Sequence, residues 1–236
     1  MGWEVKKYPM YYGGVKEPCS SKAVVVGNMV FLSSMDGRSL KTGKVPSDKF
    51  EEQIVQCLDN VRLSLEEVGS SMDKLVKLYA FVKNSEDFPS MWKIMLEYYQ
   101  KHAPALVDEP PAITCAQINP MVHPDSLTEI DATAILPNDD PGWEVKKQPM
   151  YYHGVKQVYP NIKPGMPFMS ESVIVGNVIF LSGMGAENPD TGKIETNIFA
   201  DQMNISLDKI RAAMDNAGGS LSNIIKTFHF QARMEG

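Results

Sequence analysis

The sequence predicts an α+β fold: a mixed sheet with two helices on one face, built in tandem, with the second copy stopping partway. Three observations carry this. The chain repeats itself, one of its helical stretches carries a one-sided apolar stripe, and its last strand alternates apolar and polar residues. Repetition comes first, because missing it misassigns the whole fold. Residues 2–7 (GWEVKK) return as 142–147, and residues 10–12 as 150–152, both at an offset of 140. Further on, Gly27, Asn28, residues 31–33 and 42–44, Gln53, Leu58, Asp59, Arg62, Gly69, Lys77 and Phe81 recur at an offset of 149. The difference is an insertion near residues 159–167, rich in Pro and Gly. Residues 1–138 are therefore expected to form a complete domain and residues 139–236 a second one without its C-terminal half. Gly236 aligns with Asp87, so residues 88–137 have no counterpart and the natural chain is expected to continue past Gly236.

In the first copy, residues 23–26 and 29–33 are apolar or β-branched runs around Gly27 and Asn28, the signature of a tight hairpin. Asp48 is placed to cap a helix, with Glu51 three residues on as a capping box. Phe50, Ile54, Cys57, Leu58, Val61, Leu65 and Val68 follow helical spacing, and Gly69 stands where a C-cap glycine belongs. The second copy keeps the stripe as Phe199, Met203, Leu207, Ile210, Met214 and Ala217, ending at Gly218. A stripe on one side means a helix lying on a sheet. Residues 75–82 read as a strand. Phe88, Met91, Trp92, Met95, Tyr98 and Tyr99 mark a second amphipathic helix ending near His102. Residues 113–118 and 127–135 close the domain as strands; in the latter Ile130, Ala132 and Ala134 alternate with Glu129, Asp131 and Thr133. Helices on one face leave the other uncovered, which predicts oligomerisation through it.

Composition bounds the function. With 43% hydrophobic and 22% charged residues, the chain matches ordinary soluble globular proteins. The apolar run at residues 23–26 is far too short to span a bilayer, and residues 1–7 lack the apolar core of a signal peptide. Cys19, Cys57 and Cys115 form neither a disulfide framework nor a zinc pattern, so a reducing, cytoplasmic setting is expected. A net charge of −6 argues against a nucleic-acid backbone as main partner. Thr42, Gly43 and Lys44 do not make a phosphate loop, because Gly37 and Gly43 are wrongly spaced and Val45 replaces the required Ser or Thr. His102, Cys115 and His123 lack metal-ligand spacing, so neither metal nor cofactor is expected. Glu129 faces away from the helices. Packed against a neighbour it becomes a half-buried carboxylate able to act as a base; otherwise it is a solvated strand residue. Ser33 and Ser34, at the end of the hairpin, are site residues only if a cleft lies there.

The order Gly-Asn-apolar-Phe-Leu-Ser, Thr-Gly-Lys, a helix with Gln53 and Leu58-Asp59-Asn60-Val61, then Val76-Lys77, Phe81-Val82, Asp87-Phe88 and Glu129-Ile130-Asp131-Ala132 resembles the RidA (YjgF/YER057c/L-PSP) family of imine and enamine deaminases, also labelled L-PSP endoribonucleases. The resemblance spans residues 18–136 fully and 167–236 as a half. It implies the chorismate-mutase-like fold, three domains packing their sheets inward, and small-molecule sites in clefts between neighbours. Three chains supplying six domains in two stacked rings are the simplest closed assembly for a tandem chain. In the family an arginine after Pro-Ala grips a substrate carboxylate, a Ser-Gly pair and backbone near a cysteine line the pocket, and a glutamate positions the attacking water. Carried over, Glu129 and Cys115 are kept and Ser33 matches the serine. Ile113 replaces the arginine, Ser34 the glycine, and Cys19 the aromatic residue. The first copy thus resembles a degenerate site. In the second, Phe168 restores the aromatic residue and Ser182-Gly183 the pair. The implied ligand is a small carboxylate and the implied reaction a cofactor-free deamination, with a non-catalytic carboxylate-binding or scaffold domain as the alternative. RNA cleavage rests on the old label alone and is opposed by the acidic charge. The GWEVKK extension has no family counterpart; it is open to being an added edge strand or a lock between domains.

Overall fold

The computed structural model describes residues 3–13, 15, 17–18, 20–150, 167, 169–188 and 190–232. Cys19, Phe168 and most of the insertion lie outside the described residues. The extension forms an edge strand, β1 (Val5–Met10), antiparallel to β2 (Ser20–Val26). β2 turns tightly into β3 (Met29–Leu32), with Gly27 at φ 57°, a backbone region that residues with a Cβ rarely adopt. The short β4 (Met35–Asp36) leads to α1 (Phe50–Glu67), then β5 (Leu75–Val82), α2 (Phe88–His102), the single turn α3 (Ala105–Asp108), β6 (Ala112–Gln117) and β7 (Thr128–Ile135). β7 pairs antiparallel with β3, β4 and β5, while β5 and β6 run parallel, so the sheet is mixed.

The second copy repeats the start of this order. β8 (Val145–Met150) pairs with β9 (Met169–Val175), β9 turns into β10 (Val178–Leu181), and α4 (Phe199–Asn216) follows. Even the irregularity in the edge pair recurs, before Pro9 in β1 and before Pro149 in β8. One sheet runs through both copies, because β6 and β9 meet in parallel at Ala112 and Ser170.

The core lies between that sheet and α1 and α2. Every residue of the predicted α1 stripe is buried, as are Met91, Trp92, Met95, Tyr98 and Tyr99 of α2 and Ile130, Ala132 and Ala134 of β7. At about 25 cal/mol per Å² of apolar surface, each large side chain buried here contributes roughly 1.5–3 kcal/mol. Two expectations need correcting. α1 begins at Phe50 with Lys49 at the N-cap and no side-chain cap, so Asp48 does not cap it; Glu51 and Glu52 favour its N-terminus through the helix dipole instead. In the second copy, the repeat at offset 149 implies a strand at residues 224–231 equivalent to β5, but these residues stay outside the sheet. β5 is held on both sides by β6 and β7, and the second copy has no counterpart of either within this sequence.

Candidate functional site

Alternation on β5, β6 and β7 sorts the candidate residues to two faces. Leu78, Ala80 and Val82 point to the helices, so Lys77, Tyr79 and Phe81 point to the other face. Glu129 is opposite Phe81 and Asp36 in the ladders, and Asp131 opposite Tyr79, which puts both carboxylates on that open face. Glu129 is half-buried, and desolvation raises its pKa above the ordinary carboxylate value. Ser34 beside it and the Arg38 guanidinium oppose the rise, while the Asp36 charge adds to it. Asp36 is buried and fixed by Arg38 Nε at 2.6 Å and by the Ser126 hydroxyl at 3.0 Å. Arg38 also lies over the Tyr12 ring, 4.3 Å from its centroid. Glu129, Ser34, Asp36, Arg38 and Tyr12 therefore form one charged cluster at the end of the sheet. Sequence reasoning found Glu129 and Ser34 but placed neither Asp36 nor Tyr12 with them. The signal for Asp36 is a carboxylate two residues before an arginine at a strand end.

The structure does not unite the remaining candidates with Glu129. Cys115 pairs with Ala80 on the helix side, so its side chain leaves the open face; burial pushes the thiol up to about 12. Ile113 is fully buried in the helix-side core, and the position that would carry a carboxylate clamp serves packing. The Ser33 hydroxyl donates to the Ser21 carbonyl at 2.6 Å. Its counterpart Ser182 donates to the Ser170 carbonyl at 2.6 Å and also accepts the Ile113 N–H at 2.8 Å. The Gly183 N–H donates to the Ile113 carbonyl at 3.0 Å, and a Cβ on Gly183 would meet Thr114 at 3.0 Å. Ser182 and Gly183 are thus engaged in the seam between the copies and hydrogen-bond the backbone of Ile113 directly.

Lys77, unremarked as a site residue in the sequence, completes that seam. Its amine donates to the Thr114 hydroxyl and the Leu181 carbonyl, each at 2.6 Å, and lies 4.6 Å from the Tyr79 ring centroid. Burial brings its pKa down to about 7, although Cys115 and Asp131 pull it up. Across the open face runs the tail of the second copy. Phe228 meets Tyr79 edge-on at 5.1 Å, Phe230 meets Phe81 at 6.0 Å, and the Lys226 charge acts on Asp131. Lys226, Phe228 and Phe230 are the offset-149 counterparts of Lys77, Tyr79 and Phe81, so matching residues of the two copies face one another. Among the described residues no group of His, Cys, Asp and Glu could hold a metal ion, and no helix is long and apolar enough to cross a membrane.

A mixed sheet backed by two helices, extended through a seam into a second hairpin and helix, defines the class of the molecule: an α+β layer protein built on a single sheet. More particularly, the sequence matches the family described as Endoribonuclease L-PSP over residues 16–136 and 160–236, and the chain belongs to that family. It is similar to the 2-iminobutanoate/2-iminopropanoate deaminase of Escherichia coli K12, 31% identical over 114 residues, 48% of this chain and 84% of that protein. It is 33% identical over 85 residues to the protein of that name from Dermatophagoides farinae, covering 36% of this chain and 66% of the relative. Among solved structures, the YjgF gene product of E. coli aligns with a TM-score of 0.48 at 26% identity, covering 55% of this chain and 98% of that one.

Proposed function

We propose that the protein is a RidA-like reactive-intermediate deaminase that hydrolyses small imines or enamines of carboxylic acids, with an attenuated site in the first copy. The observation that carries this reading is Glu129: a half-buried carboxylate on the shared sheet face, its pKa raised, beside Ser34 and a cation. In the reaction, a water held by Glu129 attacks the imine carbon and gives its proton to the carboxylate. That proton passes to the nitrogen to give a carbinolamine. Its hydroxyl proton then follows the same route through the carboxylate to the nitrogen as the C=O bond forms and the C–N bond breaks, so that a ketone and ammonia leave. Relatives named as deaminases support the reaction class. The buried Ile113 supports the attenuation, since it offers none of the paired donors with which an arginine binds a carboxylate. The same observation favours a second reading, a non-catalytic domain that binds a small carboxylate through Arg38 or serves as a scaffold.

Assembly into a larger ring belongs to the same proposal. Ser33 repeats the hydroxyl–carbonyl bond of Ser182 but accepts no N–H from a β6 strand among the described residues. The β6 strand of another copy would supply that N–H, and a cytoplasmic trimer of chains fits this geometry. The test is ammonia release by the full chain from an imine generated in situ from a small amino acid. Turnover is expected to be slow and to be abolished in Glu129→Gln. It should also fall with decreasing pH through a midpoint above the ordinary glutamate value, because the carboxylate must be ionised to accept a proton. A Glu129→Gln variant as fast as the parent would remove Glu129 from the reaction. Absence of turnover alongside saturable binding of pyruvate would establish the second reading.

A further inference from the structure

We propose that the duplicated GWEVKK extension builds a binding site for a small quaternary or methylated ammonium ligand between the two copies. Trp3 and Trp143 are counterparts at offset 140, yet they are not at separate places. Their rings meet with centroids 5.9 Å apart and planes tilted by 53°. Both also close on the same turn, since a Cβ added to Gly27 would lie 3.5 Å from each indole. Beside the two contacting rings is a hollow of about 230 Å³ lined by Trp3, Gly27, Asn28, Asn138, Asp140 and Trp143. Trp3 is 67% exposed although it belongs to the most apolar-rich class of side chains. An indole held open beside a second one, rather than folded into the core, presents a π face to whatever enters.

The charge around the hollow selects the occupant. Asp140 lines it and spends one carboxylate oxygen on the Gly142 N–H at 2.8 Å, while neither Asp140 nor its neighbour Asp139 forms an ion pair among the described residues. The nearby lysines Lys6 and Lys146 are paired with Glu4 and Glu144. The region is thus aromatic walls with an unneutralised acidic rim. Anions are repelled, and a neutral apolar group would leave the acid unused. A cation with an apolar shell satisfies both, through the quadrupole of the two indoles and the carboxylate. A trimethylammonium group also fits the space, while a strongly hydrated ammonium would forfeit more water on entry.

Choline titrated into the full chain, followed through indole N–H resonances, tests this directly, because the chain has three tryptophans. Those of Trp3 and Trp143 should shift saturably at millimolar choline, while that of Trp92, buried in the core, should stay. By calorimetry, Trp143→Ala and Trp3→Ala should each weaken choline binding about tenfold, Asp140→Asn about threefold, and Trp3→Phe should retain part of the affinity. The neutral isostere 3,3-dimethylbutanol should not compete. The proposal is overturned if choline causes no saturable shift, or if the isostere binds as well as choline. It is equally overturned if binding survives loss of both tryptophans, since the ring pair would then be only a clasp between the extension and the second copy.

Discussion

α1 and α4 are the same helix twice, and they live in different surroundings. Leu58 of α1 is fully buried, while its counterpart Leu207 of α4 is 40% exposed; Phe50 is 5% exposed and its counterpart Phe199 58%. The stripes are alike in pattern, and both helices end at a glycine with positive φ, Gly69 and Gly218. What differs is the partner. α1 packs on α2 and on the strands β3, β4 and β7, whereas among the described residues α4 meets chiefly β9 and β10 and no second long helix. An amphipathic pattern therefore specifies a helix and the face it would bury, but the burial itself depends on elements far along the chain.

The largest expected effect uses that pair. Leu58→Ala should cost about 2–5 kcal/mol by chemical denaturation, the range for a leucine deleted from a packed core. Leu207→Ala should cost less, about 1–2 kcal/mol, because 40% of its surface is already in water and the cavity left would open to solvent. Equal losses would mean that α4 is packed as tightly as α1, and the comparison would fail.

Next in size is a pH effect at the seam, comparing Lys77 with Lys226. Lys77 is buried and its pKa is down to about 7, whereas an unfolded lysine keeps its ordinary value near 10.4. Between these values the unfolded chain binds more protons than the folded one, so stability should rise as pH increases from about 7 towards 10. Below about 7 both states are protonated and the buried charge is an unrelieved cost. The neutral amine keeps two donors for Thr114 and Leu181, so the seam gains from deprotonation without losing its bonds. Lys77→Met should flatten this dependence, and Lys226→Met should leave it in place. A denaturation midpoint that falls over this range in the parent protein would contradict the assignment.

Smaller again is the contrast between the two matched serines. Ser33→Ala removes one hydroxyl–carbonyl bond and should cost about 0.5–1.5 kcal/mol. Ser182→Ala removes the same bond and also strands the buried Ile113 N–H, so it should cost about 1–3 kcal/mol. Should the two losses coincide, Ser182 would have no seam role beyond the local bond it shares with Ser33.

What the sequence disclosed, and what it concealed, follows the same division. The repeat, the α1 stripe, β5, α2 and the alternation of β7 were all readable, because each depends on near neighbours in sequence. The outward turn of Glu129 was readable for that reason too. The parallel contact of β6 with β9 was not, since Ala112 and Ser170 meet without any local signal. Nor was the fate of Ile113 and Cys115, whose strand gave no clean alternation to say which of them faced the helices. The misplaced cap at Asp48 came from a motif that fits the pattern by two residues but not by hydrogen bond. The extension shows most sharply how a local reading stops short: β1 and β8 are edge strands as a run of residues allows, but the meeting of Trp3 and Trp143 depends on the relation between the copies.

The smallest expected effect concerns the tail of the second copy, the one stretch whose counterpart is a strand while it is not. Phe228 touches Tyr79 edge-to-face, and Phe230 lies against Phe81, yet both phenylalanines stay about half exposed. Since these residues are outside the sheet, they are held on the open face by side-chain contacts instead of a backbone ladder. A double-mutant cycle between Tyr79→Leu and Phe228→Leu should return a coupling of about 0.5–1.5 kcal/mol, the contribution of an aromatic pair beyond its buried area. Leucine keeps apolar volume at each position, so the cycle isolates the ring–ring term. Hydrogen exchange should be faster for residues 224–231 than for Leu75–Val82, because only the latter share ladder bonds on both sides. A coupling near zero, together with protection equal to that of β5, would mean that the tail forms a strand after all, and the two copies would differ less than their helices indicate.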